Sequence, residues 1–531
     1  MPDQHPAGPR RAAFVSAGVL LLALAVAAYL RFAQIGLKPL HHDEGVNAHF
    51  LLELWRNGTY AYRPENYHGP TLYYFALAAL AALGETDLAL RFWPAAFGLL
   101  MVGLLWWLRR ELGDVGAPVA AWLVALSPGL VYFSRDFIHE MSFVCFTLGV
   151  VVGAWRYAAT RRFAPLALLA ASAGLLFATK ETALMTVVIL ALAVACAAVW
   201  DVGRRLARAR NLRPAAVVRE LRREARGLRP TKDHLLSAAA IFIFINVIFY
   251  SSIFTHWRGI IDAVRAVFMW TERGVIGHEH DKAFHYYLGI LVKLELPLLA
   301  AALPGAALAL WRGSRFALFL TAWATGMTLA YSLIPYKTPW LALSMLLPLA
   351  LLGGSAAQQV WDLLRPWPLR LAWGAALAAA LGVSGWMAYR VNFEAYADNR
   401  NRLGYLRGWG ERLGLPAYRD EVSGYVYAQT DPDLLNLVQA IEDAAAQLPQ
   451  REHTGIHVAT PDYWPLPWYL RHYDGVAYAG SLPAKLTAPV VIATPGQEAD
   501  VERLLGAGRR RTLSYTLRPG VPLVLHVRGQ G

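Results

Sequence analysis

Residues 1–389 alternate long apolar runs with short charged connectors, whereas 390–531 mix polar and apolar positions as a water-soluble chain does. A helix needs about 20 residues, at 1.5 Å each, to cross a bilayer. Runs long enough to serve lie at 13–31, 89–108, 115–132, 141–158, 163–178, 182–200, 235–254, 286–310, 316–334, 339–357 and 371–389. The pattern predicts a mainly α, polytopic membrane helix bundle of about eleven transmembrane helices. The stretch Thr71–Gly84 is only fourteen residues long. As a helix it would reach about 21 Å, short of the ~30 Å hydrocarbon core, so an interfacial or re-entrant helix is expected there.

Residues 390–531 read differently. A helix is expected at Asp431–Leu448, β-like runs at Gly455–Thr460 and Pro489–Thr494, a second helix at Gln497–Leu505 and a strand at Thr512–Leu517. Strand and helix alternate, which predicts a small α/β domain. An aromatic stretch, YWPLPWYLRHY at 463–473, interrupts it, and neither a GxGxxG nor a P-loop pattern occurs. The expected organisation is a transmembrane domain at 1–389 and a soluble domain at 390–531, with no internal repeat.

Composition agrees with the pattern. Apolar residues make up 56% of the 531 and charged residues 16%, where a soluble chain carries about a quarter charged. A cytosolic enzyme, a disordered chain and a disulfide scaffold are excluded. Cys145 and Cys196 both lie inside apolar runs, so there is neither a disulfide framework nor a cysteine metal site. The net charge of +13 owes most to one stretch, Arg204 to Lys232, which holds eleven basic residues. Beside membrane spans this is a topology signal and a contact for anionic lipid, not a nucleic-acid site. The run Ala13–Leu30 follows Arg10 and Arg11 and exceeds a signal-peptide core in length; it reads as an uncleaved first helix.

The arginines set the orientation. If 71–84 does not cross, Arg109–Arg110, Arg161–Arg162, the 204–232 block, Arg312–Arg315 and Arg365–Arg370 all fall on one side, which the positive-inside rule makes cytoplasmic. The chain is then expected in the inner (cytoplasmic) membrane, N-terminus inside and C-terminal domain extracytoplasmic. The outward connectors become 41–69, 134–140, 179–181, 255–285 and 335–339. They hold HHDE at 41–44, SRDFIHE at 134–140, TKE at 179–181, HEHD at 278–281 and YKTP at 336–339.

These groups suit definite chemistry. Asp43 and Glu44 follow His41 and His42 just beyond the first span, where a shielded carboxylate can act as general base or hold a divalent cation. Five polar groups in seven residues, Ser134, Arg135, Asp136, His139 and Glu140, do not suit a lipid-facing position. Asp136 can orient an acceptor, and Arg135 suits a bidentate phosphate contact, although pairing with protein neighbours would satisfy both. Lys180 and Lys337 stand at tight outer turns, fit to snorkel or to hold a phosphate whose charge grows as it leaves. His278 and His280, with Glu279 and Asp281, make a candidate zinc or manganese site whose spacing is not diagnostic. His42, His139 and Glu140 are further candidates for a substrate or divalent-cation contact, and a divalent cation is the one cofactor candidate.

The ordered set resembles the GT-C superfamily of polyprenyl-phosphate-sugar-dependent glycosyltransferases, which includes protein O-mannosyltransferases and the aminoarabinose transferase of lipid A. It is also similar to the flippase-activity-associated proteins of archaeal N-glycosylation. The matching motifs are HHDE, HGPTLYY at 68–74, ALRFWPAAFGLL at 89–100, FSRDFIHE, LLFATKETAL at 175–184, YKTPWLALSMLLPLALLGG at 336–354 and PLPWYLRHYDGV at 465–476. The resemblance implies Asp43 as base, Glu44 as supporting acid, Asp136 as the second-loop acid, and Lys180 and Lys337 on the carrier phosphate. Its implied partners are a polyprenyl-phosphate-linked sugar and membrane lipid, with a glycan, lipid or protein as acceptor. The trefoil sugar-recognition domains of O-mannosyltransferases are absent, which speaks against their kind of protein acceptor. The leading reading is an integral membrane glycosyltransferase. A lipid-linked sugar flippase, or a flippase-associated protein, is its rival, and a scaffold recruiting partners through the soluble domain is a third.

Overall fold

A computed structural model describes residues 9–65, 68–210, 213–276, 281–312, 314–396, 403–414, 424–425, 429–505 and 510–528. The principal helices are α1 (Pro9–Phe32), α2 (His42–Asn57), α3 (Thr71–Leu83), α4 (Asp87–Leu104), α5 (Gly116–Leu126), α6 (Pro128–Phe133), α7 (Glu140–Thr160), α8 (Phe163–Phe177) and α9 (Ala183–Arg208). They continue with α10 (Pro214–Leu228), α11 (Lys232–Tyr250), α12 (Arg258–Ile276), α13 (Tyr286–Leu294), α14 (Leu296–Arg312), α15 (Arg315–Leu333), α16 (Leu343–Leu363) and α17 (Trp367–Tyr389). The chain is a multi-pass membrane protein. Among the described residues eight helices are long and apolar enough to cross a bilayer, or nine if the bent pair α13–α14 counts as one span.

The difference from the eleven expected has local causes. The run 115–132 breaks at Ser127, which is extended and caps α6 by accepting from the Leu130 N–H. Pro128 supplies the ready-made first residue of α6 and forbids a helical residue before it. The run 286–310 bends by 110° between α13 and α14, with Pro297 in the first turn of α14, where a missing N–H is tolerated. The run 163–178 yields a helix of only 15 residues. Thr71–Leu83 is a short apolar helix of 13 residues, as its length implied.

Helix α16 lies at the centre: every residue from Leu343 to Ala357 is buried. It packs against α5 and α14; α7 packs on α8, α8 on α11, α9 on α15, and α1 on α4. Helix α11, by contrast, has one fully buried residue, Tyr250.

The C-terminal domain carries β1 (Ile456–Val458), β2 (Val476–Tyr478), β3 (Val490–Ala493), β4 (Arg510–Arg518) and β5 (Val521–Arg528), in the spatial order β2-β1-β3-β5-β4. β1 pairs in parallel with β2 and β3, while β5 runs antiparallel to β3 and β4. Helix α18 (Asp433–Ala446) lays Leu434, Leu437 and Ile441 into a core with Ile456, Val490 and Leu525. β2 and β5 were not anticipated. β2 has three residues and no fully buried one, and β5 follows a tight turn in which Gly520 takes the left-handed φ of +82°.

Candidate active site

The first outer connector starts as a helix cap. The His41 ring accepts from the Asp43 N–H, and Glu44 reaches back to the His41 N–H at 2.9 Å, forming a capping box that begins α2. Glu44 does more than cap. Its two oxygens accept from Arg91 Nε and Nη2, each at 2.8 Å, and from the Phe137 N–H at 2.7 Å. Arg91 also donates to the carbonyls of Ile35 and Lys38. Both side chains are wholly buried. Burial alone would raise the Glu44 carboxyl, but Arg91, with Lys38 behind it, holds it down at about 2. Glu44, expected as a supporting acid, has both oxygens filled. It ties α2, α4 and the second outer connector together.

Asp136 is paired through one oxygen. It binds the Lys38 ammonium, and both are buried. Lys38 also lies over the Tyr132 ring, 3.9 Å from its centre. The neighbouring Arg135 turns the other way. Its terminal nitrogens donate to the carbonyls of Leu30, Arg31, Ala33 and Gln34, at and just past the end of α1. The guanidinium for which a phosphate contact was expected is turned to the backbone at the end of α1.

A second cluster surrounds the third outer connector. Lys180 pairs with Glu140, both buried. Glu181 accepts from Tyr62 Oη at 3.4 Å and meets His68 Nδ1 at 3.0 Å. Burial pushes the Glu181 carboxyl up to about 7, against Lys180 and the Tyr62 hydroxyl. His139 is buried with Nε2 3.0 Å from the Gly69 carbonyl, and burial, then His68 and Lys180, press its pKa well below the usual range. A Cβ on Gly69 would sit 2.2 Å from the Ala178 carbonyl oxygen; only glycine lets the two connectors meet here. Asn47 joins the clusters, donating to the Phe137 carbonyl and accepting from Tyr73 Oη, both at 3.0 Å.

Lys337 stands apart from both. Its ammonium donates to the Lys282 carbonyl at 3.1 Å and to that of Ile334, beside the bridge that pairs Asp281 with Tyr336. His278 and His280 lie outside the described residues. Among the described residues no three His, Cys, Asp or Glu side chains gather as a metal site. His139 and Glu140, offered as cation contacts, are engaged as above.

Asp43 is the exception. It is half-buried, and its carboxylate has no hydrogen-bond or ion-pair partner among the described residues. Beside it, His42 packs edge-on to Trp464 of the aromatic stretch, at 6.3 Å, and burial, ahead of the pull from Asp43, lowers the pKa of its ring. That stretch docks the C-terminal domain on the connectors. Trp468 Nε1 donates to Asp87 at 2.8 Å, Arg471 pairs with Glu85 at 3.1 Å, and Tyr469 Oη accepts from the Leu40 N–H at 2.9 Å. A Cβ on Gly45 would lie 2.5 Å from Pro465 Cβ, so α2 and this loop touch backbone to ring.

Among the described residues the arrangement thus presents one unpartnered carboxylate, Asp43, beside buried ion pairs, with a docked domain at its side. Lys38, Arg91 and His68 were missed as members. Lys38 carried a usable signal, an outward lysine against the positive-inside rule; Arg91 sat unmarked within an apolar run.

A model of the dolichyl-phosphate-mannose-protein mannosyltransferase family matches residues 67–218. Among curated proteins no sequence matches. The structure is similar to that of ArnT from Cupriavidus metallidurans bound to undecaprenyl phosphate, with a TM-score of 0.64 and 17% identity, covering 97% of this chain and 99% of that one. It is also similar to the oligosaccharyltransferase AglB from Archaeoglobus fulgidus in complex with an inhibitory peptide and a dolichol-phosphate. There the TM-score is 0.50 and the identity 13%, over 92% of this chain and 70% of that one. The fold is of the GT-C type.

Proposed function

We propose that the chain is a membrane glycosyltransferase that moves a sugar from a polyprenyl-phosphate carrier to an acceptor hydroxyl at the extracytoplasmic face. The observation that carries this reading is the open Asp43 carboxylate. Glu44, Asp136, Glu140 and Glu181 all have partners, and Asp43 has none among the described residues. A half-buried, unpaired carboxylate held at a helix start is placed to take a proton. The likeness to a protein that binds undecaprenyl phosphate supports the carrier class.

In the proposed reaction the acceptor oxygen bonds to the sugar C1 as its proton passes to Asp43. The bond from C1 to the phosphate oxygen breaks with its electron pair, and polyprenyl phosphate leaves. Lys180 and Lys337 are the cations proposed for that phosphate. An ammonium has three N–H donors; Lys180 uses one on Glu140, and Lys337 uses two on backbone carbonyls. Glu44 and Asp136 act through the residues they hold.

The test is the purified protein with a panel of radiolabelled polyprenyl-phosphate sugars and a cell-envelope extract as acceptor. Label should move to the extract and polyprenyl phosphate should accumulate, and Asp43→Asn should suppress both. No consumption of any donor, together with movement of the lipid across liposome bilayers, would replace this reading with a flippase.

A further inference from the structure

The end of the bundle opposite the site carries a different surface. Helix α7 leaves the site at Glu140 and ends at Thr160, and α9 leaves beside Lys180 and ends at Arg208. At that far level α10 runs from Pro214 to Leu228, between the end of α9 and the start of α11. Three other segments hold it there. Glu224 accepts from Arg205 of α9 and forms an ion pair with Arg315 at the start of α15, at 2.9 Å, and Arg161, just past α7, donates to the Gly227 carbonyl. Helix α10 is fixed across the ends of the membrane helices.

Its faces divide cleanly at 100° per residue. Ala216, Glu220, Glu224 and Gly227 turn toward the bundle. Arg219, Arg222, Arg223 and Arg226 form the next strip, all exposed. Val218, exposed, and the half-buried Leu221 lie on the strip beyond. Among the described residues Arg219, Arg222 and Arg226 have no ion-pair or hydrogen-bond partner through their guanidinium groups, and Arg223 reaches Glu220 only at 3.9 Å. From 204 to 232 there are eleven basic residues and two acids, Glu220 and Glu224, so the chain itself cannot neutralise the strip.

We infer that the arginine strip of α10 is a binding surface for the headgroups of anionic phospholipids in the leaflet where α9 ends and α11 begins. Charge complementarity requires an anionic occupant, and guanidinium groups match phosphate oxygens two bonds at a time. The place selects the membrane over a soluble polyanion. Both ends of α10 lead into spans, and an apolar strip lies beside the basic one, as in helices that rest in the headgroup layer. Bound lipid would pin the connector that α9, α11 and α15 share. The inference does not depend on the reaction proposed above.

The test uses the full-length protein, delipidated in maltoside micelles and titrated with phosphatidylglycerol or phosphatidylcholine, with retained lipid read by native mass spectrometry. Wild type should retain phosphatidylglycerol preferentially. A surface arginine contributes about fivefold at low salt, so the triple variant Arg219→Gln, Arg222→Gln, Arg226→Gln should weaken that retention by more than about tenfold. Phosphatidylcholine retention should stay as it was, and Arg503→Gln, on the C-terminal domain, should change nothing. Equal retention of the two lipids by wild type, or undiminished phosphatidylglycerol on the triple variant, overturns the inference. Displacement by glycerol 1-phosphate at an equal concentration overturns it in favour of a soluble phosphate.

Discussion

Glu44 and Arg91 face each other through two hydrogen bonds of 2.8 Å, with both side chains out of reach of solvent. Every acceptor on Glu44 is filled from α2, α4 or the second outer connector, so the pair sets where Asp43, one residue earlier, stands. Removing one partner leaves an uncompensated buried charge, which costs about 3–5 kcal/mol. Glu44→Gln and Arg91→Met should each lower the melting temperature in detergent, and the double variant should lose less than the two combined. Additive losses would mean that the two charges do not depend on each other.

Asp43→Asn tests the base. The change keeps the shape of the side chain and removes its basicity, and general-base removal typically lowers turnover by ~10²–10⁴-fold. Donor affinity and melting temperature should remain near wild type, because the contribution arises only as the bond forms. Retention of more than about a tenth of turnover would move the proton acceptor elsewhere.

The carrier phosphate is tested at Lys180 and Lys337. Lys180→Ala also strands Glu140, so Glu140→Gln serves as the companion that breaks the same pair and keeps the cation. Donor affinity should fall for Lys180→Ala and Lys337→Ala and hold for Glu140→Gln. If Glu140→Gln weakens the donor as much as Lys180→Ala does, the pair is structural and the phosphate role is lost.

Glu181 predicts a pH dependence. Its carboxyl is raised to about 7 in the folded protein, above its ordinary value when unfolded. Unfolding therefore releases a proton across that window, and the stability contributed by Glu181 falls as pH rises toward 7. Glu181→Gln has no such loss, so its melting temperature should gain on wild type between pH 5 and pH 8. A constant gap over that range would show that the carboxyl ionises normally.

Orientation is open to cysteine labelling in a background without Cys145 and Cys196. A cysteine placed at Glu220 should be protected from an impermeant thiol reagent in intact spheroplasts, and one at Gly480 should react. The reverse pattern would invert the topology and place Asp43 on the cytoplasmic face.

The membrane class, the α/β domain and the separation of the arginine connectors from the chemistry-bearing ones were legible in the chain alone. Hydrophobic runs, strand alternation and charge asymmetry are local properties, readable one segment at a time. Asp43 was singled out for the same reason, since a carboxylate at a helix start beside a span needs no distant partner to be noticed. The fate of its neighbours was not legible. Glu44 meets Arg91, Asp136 meets Lys38, and Arg135 caps α1 because segments 47, 98 and about 100 residues apart fold against one another. A carboxylate in a motif looks the same whether an arginine from another helix fills it or not. The breaks at Ser127 and Glu295 were hidden for a related reason: an apolar run records that a segment avoids water, and only the packing around it decides whether it crosses straight or bends. Tertiary structure therefore decided which charges hold the site together, and which one carboxylate it leaves open.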